Sequence, residues 1–129
     1  MTPSTLRSVH RWFTLAFCLL VLVQAVLAGR HLYDGADIDL HGYVGNATFL
    51  VGVFTAVAAW RGRLERRLLM IAVALVVLSF AQTGLGYSGR DSAEAAALHI
   101  PLGVLTFGVA GAQAALAWLV TPDPRTPGG

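Results

Sequence analysis

The stretch Gln82 to Trp118 reads QTGLGYSGRDSAEAAALHIPLGVLTFGVAGAQAALAW, and it repeats the earlier stretch QAVLAGRHLYDGADIDLHGYVGNATFLVGVFTAVAAW at Gln24 to Trp60. A shift of 58 positions aligns the two without a gap. Two hydrophobic segments match at many apolar positions simply because of their composition. Composition does not explain why polar residues also match at the same offset. The matched polar and aromatic pairs are Gln24 with Gln82, His41 with His99, Thr48 with Thr106, and Trp60 with Trp118. The pattern predicts a duplicated unit of two helices.

The composition excludes an ordinary soluble domain. Of 129 residues, 56% are hydrophobic and only 12% are charged, whereas soluble domains have about a quarter of their residues charged. The net charge of +2 is small and shows no nucleic-acid footprint, so no nucleic-acid partner is expected. The single cysteine, Cys18, excludes an internal disulfide and a cysteine metal site.

Four apolar runs predict an all-α integral membrane bundle. Each is close to the roughly 20 residues that a helix needs to cross the hydrocarbon core, and lipid requires every backbone group to be satisfied within the segment. The runs are Trp12 to Ala28, His41 to Trp60, Leu68 to Leu85, and Leu98 to Val120. We expect one four-span bundle over residues 1–120, with repeats at about 12–60 and 70–118, and a disordered cytoplasmic tail over 121–129. Pro101 is expected in the first turn of its helix, where proline is tolerated.

The arginines predict the orientation in the membrane. Only Arg30 and Arg90 lie at one set of span ends, and the opposite set holds Arg7, Arg11, Arg61, Arg63, Arg66, Arg67 and Arg125. The excess of arginines at the second set of ends predicts that both termini and the 61–67 loop lie in the cytoplasm, in a multi-pass protein of the bacterial inner membrane. The two repeats then run parallel, related by an axis along the membrane normal. Short loops make sequential helices neighbours, which puts the second and fourth on a diagonal.

Two equivalent histidines are the candidate site. His41 and His99 lie near the outer ends of the second and fourth spans, at one depth. Each heads a stripe of small and weakly polar residues: Gly45, Thr48, Gly52 and Thr55 in one helix, and Gly103, Thr106, Ala110 and Gln113 in the other. Ionisable residues within a span normally face the bundle interior. Neighbouring axes are 8–10 Å apart, so the diagonal is roughly 11–14 Å.

That diagonal suits a haem ligated by an imidazole on each face. The pattern therefore predicts one b-type haem, with His41 and His99 as iron ligands and with Gly45 and Gly103 leaving room for the porphyrin edge. A small-residue stripe is equally how membrane helices pack without any cofactor. The sequence leaves both interpretations open.

Other polar residues near this end have two interpretations each. Gln24 and Gln82 could bond the imidazoles or a haem propionate, as groups that orient metal ligands do, or they could serve interhelical bonding alone. Arg30 and Arg90 could pair with propionates or with lipid headgroups. His10, whose repeat counterpart is Leu68, is expected at the cytoplasmic interface.

Three short motifs carry a family resemblance. They are VQAVLAG at 23–29, LHGYVG at 40–45 and LHIPLG at 98–103. With them, the chain apart from its tail resembles one four-helix half of the heme A synthase family, and small uncharacterised four-span bacterial membrane proteins of that type. The resemblance implies that His41 and His99 are axial haem ligands. Where the family has an acidic residue and an arginine flanking its histidine, this chain has Ile38 and Gly42, and it lacks a second bundle, so the resemblance implies the fold and the haem rather than the synthase reaction.

The sequence thus predicts a membrane haem-binding protein that acts in electron transfer or haem handling, with a redox partner or a larger membrane complex. Filled axial positions disfavour oxygen chemistry, so the expectation leans away from an enzyme. The alternative is a cofactor-free accessory or structural subunit of a larger membrane complex. A small-molecule carrier is less favoured because the spans lack the broken helices that such sites use.

Overall fold

The computed structural model describes residues 1–120, and these residues form four helices without a strand. The helices are α1 Pro3–Asp34, α2 Asp39–Arg61, α3 Arg66–Ser88 and α4 Ala93–Val120. The all-α prediction is confirmed. The predicted disordered tail, 121–129, lies outside the described residues.

The helices extend beyond the apolar runs because local capping sets their ends. The Thr2 hydroxyl accepts a bond from the Thr5 N–H at 3.2 Å at the start of α1, and Gly35 ends that helix in the left-handed conformation, at φ 67°. The Ser92 hydroxyl accepts from the Ala95 N–H at 3.3 Å at the start of α4. Pro101 therefore lies inside α4, and its predicted first-turn position is wrong. The alanines at 93–97 favour a helix, so α4 begins well before the apolar run.

The four helices pack as a closed ring. Consecutive helices are neighbours and α4 packs back against α1. Within the described chain, no Cα atom of α1 lies within 8 Å of α3, nor any of α2 within 8 Å of α4. The predicted diagonal of α2 and α4 is confirmed. Only side chains can therefore bring those two helices together.

The bundle presents its large apolar residues outward. Exposed side chains include Leu22, Phe54, Phe80 and Val104, while many of the buried residues are alanines. All four helices are long and apolar enough to cross a membrane. Such extensive exposed apolar surface marks a membrane-facing protein, and the predicted lipid partner agrees with it.

The core pairs large residues with small ones. Phe17 on α1 is 1% exposed, and a Cβ atom added to Gly52 on α2 would lie 2.9 Å from its Cε2. A shift of 58 positions turns this pair into Leu75 and Ala110, which are 3% and 1% exposed and belong to the same core cluster as Phe17. The larger ring thus faces the smaller residue.

The two ends of the bundle differ in chemistry. At the end that carries the Gly62–Glu65 connection, which we call the basic end, the Trp12 and Trp118 rings meet edge to face with centroids 5.3 Å apart. The Arg11 guanidinium lies 4.3 Å from the Trp118 ring centre. These two tryptophans therefore lie at one end of the bundle. The opposite end, which holds His41 and His99, we call the histidine end.

Candidate functional site

The two repeat-matched histidines meet across the bundle. The ring centroids of His41 on α2 and His99 on α4 lie 6.0 Å apart, with their planes at 72°. Both side chains are partly buried. Because α2 and α4 do not otherwise approach each other, the imidazoles come together at the diagonal of the ring.

The His41 ring is oriented by the main chain of α1. Its Nδ1 lies 3.2 Å from the Gln24 carbonyl oxygen. A carbonyl oxygen only accepts, so Nδ1 carries the proton and Nε2 of the neutral ring keeps its lone pair. Metal-ligating histidines are usually held by a bond of this type from the other ring nitrogen. Nε2 is therefore the nitrogen of His41 that could bind a metal.

The His99 ring is held less completely. Its Nδ1 is buried and has no hydrogen-bond partner within the described chain. The ring packs against Gly86 of α3, where an added Cβ atom would lie 3.2 Å from Cε1. Gly86 therefore makes room for this imidazole. The two histidines occupy matched positions, and the Gln82 backbone faces His99 as the Gln24 backbone faces His41, but only the His41 contact closes to a hydrogen bond.

Gln24 and Gln82 make matched contacts with the histidine-bearing turns. The Gln24 amide Nε2 donates to the main-chain oxygen of His41 at 3.0 Å, and Gln82 Nε2 donates to that of His99 at 3.1 Å. Their Oε1 atoms are buried without a hydrogen-bond partner in the described structure. The two amides thus make interhelical bonds to the histidine backbone. These bonds join α1 to α2 and α3 to α4.

Gly45 and Gly103, which the shift of 58 positions aligns, lie against these amides. A Cβ atom added to Gly45 would lie 2.9 Å from Gln24 Nε2, and one added to Gly103 would lie 2.9 Å from Gln82 Nε2. Each glycine thus gives space to a glutamine side chain from the neighbouring helix. On the side of the missing Cβ atom, the room expected for a porphyrin edge is taken by an amide.

The structure separates the two outer arginines. Arg90 Nη2 lies 3.3 Å from Asp39 Oδ1 and 3.4 Å from the Cβ position of Gly42, the residue after His41. Arg30 instead pairs at 3.6 Å with Asp34 of its own helix, where both side chains are well exposed. Arg90 is the cation placed beside the first turn of α2.

Tyr87 and Asn46 form a contact that the repeat could not predict. The Asn46 amide donates to the Tyr87 hydroxyl at 3.0 Å, and the same hydroxyl lies 3.6 Å from the Cβ position of Gly42. Their counterparts in the other repeat are Val104 and Gly29, so neither residue stands out in the alignment. In the sequence, these two residues are marked only by being polar within apolar segments.

The other two histidines lie apart from this pair. His10 is fully buried, and its Nδ1 lies 3.1 Å from the Thr55 carbonyl oxygen. The interfacial position predicted for His10 is wrong, because α1 begins at Pro3 and carries this side chain into the bundle. His31 Nδ1 donates to the Ala36 carbonyl at 2.7 Å on the exposed surface.

His41 and His99 are too few side chains to enclose a metal ion by themselves. No group of three or more His, Cys, Asp or Glu side chains suited to a metal ion occurs in the described part of the chain. A pair of imidazoles is sufficient for a cofactor that brings its remaining iron ligands itself, as haem does. His41 and His99 are the residues that could hold such a group.

No protein-family model, curated protein or solved structure matches this chain.

Proposed function

We propose that this chain is a membrane haem-binding protein that holds one b-type haem between His41 and His99 and acts in electron transfer or haem handling. The observation that carries the proposal is the 6.0 Å separation of the two rings across a diagonal. Imidazole nitrogens bind metal ions at roughly 2.0–2.1 Å, so two rings on one ion have centroids roughly 6 Å apart. The spacing fits shared axial ligation.

The surroundings of His41 support a ligand role. Gln24 holds its Nδ1–H through a main-chain carbonyl, which leaves Nε2 free to ligate and limits rotation of the ring. The same amide bond from Gln24 and Gln82 to each histidine backbone fixes the turns that carry both rings. A bound haem would supply one-electron chemistry. The resemblance of the three sequence motifs, two of which contain His41 and His99, to heme A synthase halves points to the same cofactor.

Arg90 is the residue that would hold a propionate of this haem. It is the cation at the first turn of α2, and only one carboxylate, Asp39, contacts it within the described residues. Guanidinium–carboxylate bonds are strong when several donors are available. We expect R90Q to lower haem retention during purification by several fold, whereas R30Q, which alters an exposed pair within α1, leaves it unchanged. Equal haem retention in the two variants would show that Arg90 does not hold the haem.

An absorbance spectrum of the protein purified in mild detergent tests the cofactor. The purified protein is expected to show a Soret band and, once reduced with dithionite, the sharp visible bands of a six-coordinate haem. H41A and H99A each remove one axial ligand, so each is expected to lose the six-coordinate spectrum. H31A, which alters an exposed histidine, is the control and should retain it. A colourless protein that stays colourless after addition of hemin, or a spectrum unaffected by H41A and H99A, would refute the proposal.

A cofactor-free accessory subunit of a larger membrane complex is the second candidate. It is favoured by the glycine faces at Gly45 and Gly103, which are filled by glutamine amides and therefore serve helix packing. Its exposed apolar faces would then contact other membrane subunits as well as lipid. A colourless preparation that retains stoichiometric membrane partners in mild detergent would support this candidate over the first.

A further inference from the structure

A second polar layer crosses the bundle nearer to the basic end. It consists of His10, Thr55, Leu68 and Gln113, one residue from each helix, and all four are buried. We call it the His10 layer. His10 Nδ1 contacts the Thr55 carbonyl, and Gln113 Nε2 donates to the Leu68 carbonyl at 3.2 Å. The two residue pairs are related by the shift of 58 positions, with the side chain and the carbonyl exchanging roles, so they lie at matched depths on either side of the axis.

The contact with Thr55 determines which nitrogen of His10 is free. The Thr55 carbonyl oxygen only accepts, so His10 Nδ1 carries the proton. In the neutral ring, Nε2 is then a hydrogen-bond acceptor. This atom is buried and has no partner in the described part of the structure.

Gln113 presents a second acceptor to the same layer. Its Nε2 is used by the Leu68 carbonyl, so its Oε1 points elsewhere and is buried without a partner among residues 1–120. The side chain is 0% exposed, as is that of His10. Their helices, α1 and α4, are neighbours whose axes are expected about 8–10 Å apart. His10 and Gln113 are therefore two buried side chains at one depth on neighbouring helices.

The nearby hydroxyls offer these acceptors no hydrogen, and the buried Nε–H of Arg11 bonds to neither of them within the described chain. The Thr55 hydroxyl donates to the Val51 carbonyl at 2.7 Å, and the Thr14 hydroxyl donates to the Arg11 carbonyl at 2.7 Å. The Arg11 guanidinium is held over the Trp118 ring. Each hydroxyl therefore already donates its hydrogen to a main-chain carbonyl of its own helix. An unpaired acceptor in such a setting costs free energy unless a donor reaches it.

We propose that His10 Nε2 and Gln113 Oε1 form an internal binding site for one water molecule, which donates one hydrogen to each of them. A water molecule matches the layer because it has two donors, and buried waters are stable where they find two to four polar partners. The site belongs to neutral His10. It does not involve His41 or His99, and its occupancy does not depend on haem binding.

Solid-state NMR of the protein in lipid bilayers tests this site without any substitution. With histidine rings labelled in 15N, His10 is expected to show a protonated Nδ1 and an unprotonated, hydrogen-bonded Nε2. Magnetisation transferred from water is expected to reach this ring at least about twofold faster than it reaches the backbone amides around Phe17, because a bound water lies next to the ring only. A ring protonated at both nitrogens would overturn the proposal, since His10 would then donate to Gln113 directly. Transfer no faster than at Phe17 would overturn it as well.

A pair of variants tests whether Gln113 binds the water. Q113L removes one of the two acceptors, so the transfer from water to the His10 ring is expected to fall at least about twofold. T48V is the matched control, because it removes a buried hydroxyl that donates to the Val44 carbonyl in a different layer, and it should leave the transfer unchanged. Equal transfer in Q113L and in the unsubstituted protein would exclude Gln113 from the site.

Discussion

At the scale of single residues, the histidine end depends on main-chain carbonyls more than on side-chain pairs. The His41 ring is held by the Gln24 carbonyl, while the Gln24 amide holds the His41 carbonyl. This reciprocal contact fixes both the turn and the ring that it carries. In the other half, Gln82 makes the amide bond to His99, but the His99 Nδ1 is not paired within the described residues. The two ligand candidates therefore differ in how firmly they are held.

The close approach at Gly45 makes a residue-scale prediction. In G45A the new Cβ atom would meet Gln24 Nε2 at 2.9 Å, so the amide must move and its bond to the His41 carbonyl is lost. We expect G45A to be less stable than G108A by about 1 kcal/mol, the net value of a typical intramolecular hydrogen bond. Gly108 has nothing within 4 Å of its Cβ position, so both variants share the helix preference of alanine and their difference isolates the contact. Reversible unfolding in mixed micelles measures it, and equal stabilities would contradict it.

At the scale of helices, the two halves of the bundle reach the same packing with different volumes. Phe17 on α1 faces Gly52 on α2, and the matched positions on α3 and α4 are Leu75 and Ala110. A smaller apolar side chain is thus accompanied by a larger residue at the facing position. Membrane interiors select such complementary surfaces because close packing is a main source of helix association in lipid.

This complementarity makes an element-scale prediction. G52A alone would place a Cβ atom 2.9 Å from the Cε2 atom of Phe17, a ring that is 1% exposed, so we expect a loss of about 1–3 kcal/mol in unfolding free energy. F17L combined with G52A reproduces the pairing found in the other half and should recover most of that loss. A double-mutant cycle with F17L alone measures the coupling. Additive losses would show that the two positions do not compensate.

At the scale of the whole molecule, the ring of helices places two polar layers at different depths. The His41 and His99 rings lie at one end, and the His10 layer lies closer to the basic end. Small residues allow the helices to approach, while large apolar residues face outward. The direction of this bundle in a membrane is proposed from arginine counts, seven against two.

The arginine asymmetry makes a whole-molecule prediction. Both termini should face the cytoplasm, so a green fluorescent protein fused at the C-terminus should be fluorescent and an alkaline phosphatase fused there should be inactive. Replacing the four arginines of the basic loop with glutamine (R61Q, R63Q, R66Q and R67Q) removes most of the excess and should produce a mixed population. A matched set of four substitutions at exposed apolar positions serves as the control. An active phosphatase on the unsubstituted chain would contradict the orientation.

The amino-acid sequence alone specifies the number of helices, their order around the ring and the faces that point inward. These follow from span length, short loops and the repeat frame, each of which acts through local geometry. The stripes at Thr48 and Thr55, and at Thr106 and Gln113, are buried as the pattern predicted. The pairing of His41 with His99 followed from the same frame, because equivalent residues of a closed ring lie at one depth.

Tertiary packing sets the hydrogen-bond partner of each polar atom. It directed the glutamine amides to main-chain oxygens, filled the glycine faces with those amides, and separated Arg90 from Arg30. It also buried His10 opposite Thr55, because α1 continues well past its apolar run. Periodicity states which face of a helix points inward, whereas hydrogen-bond partners depend on the relative rotation, depth and separation of two helices, and no single stretch of sequence contains those three quantities.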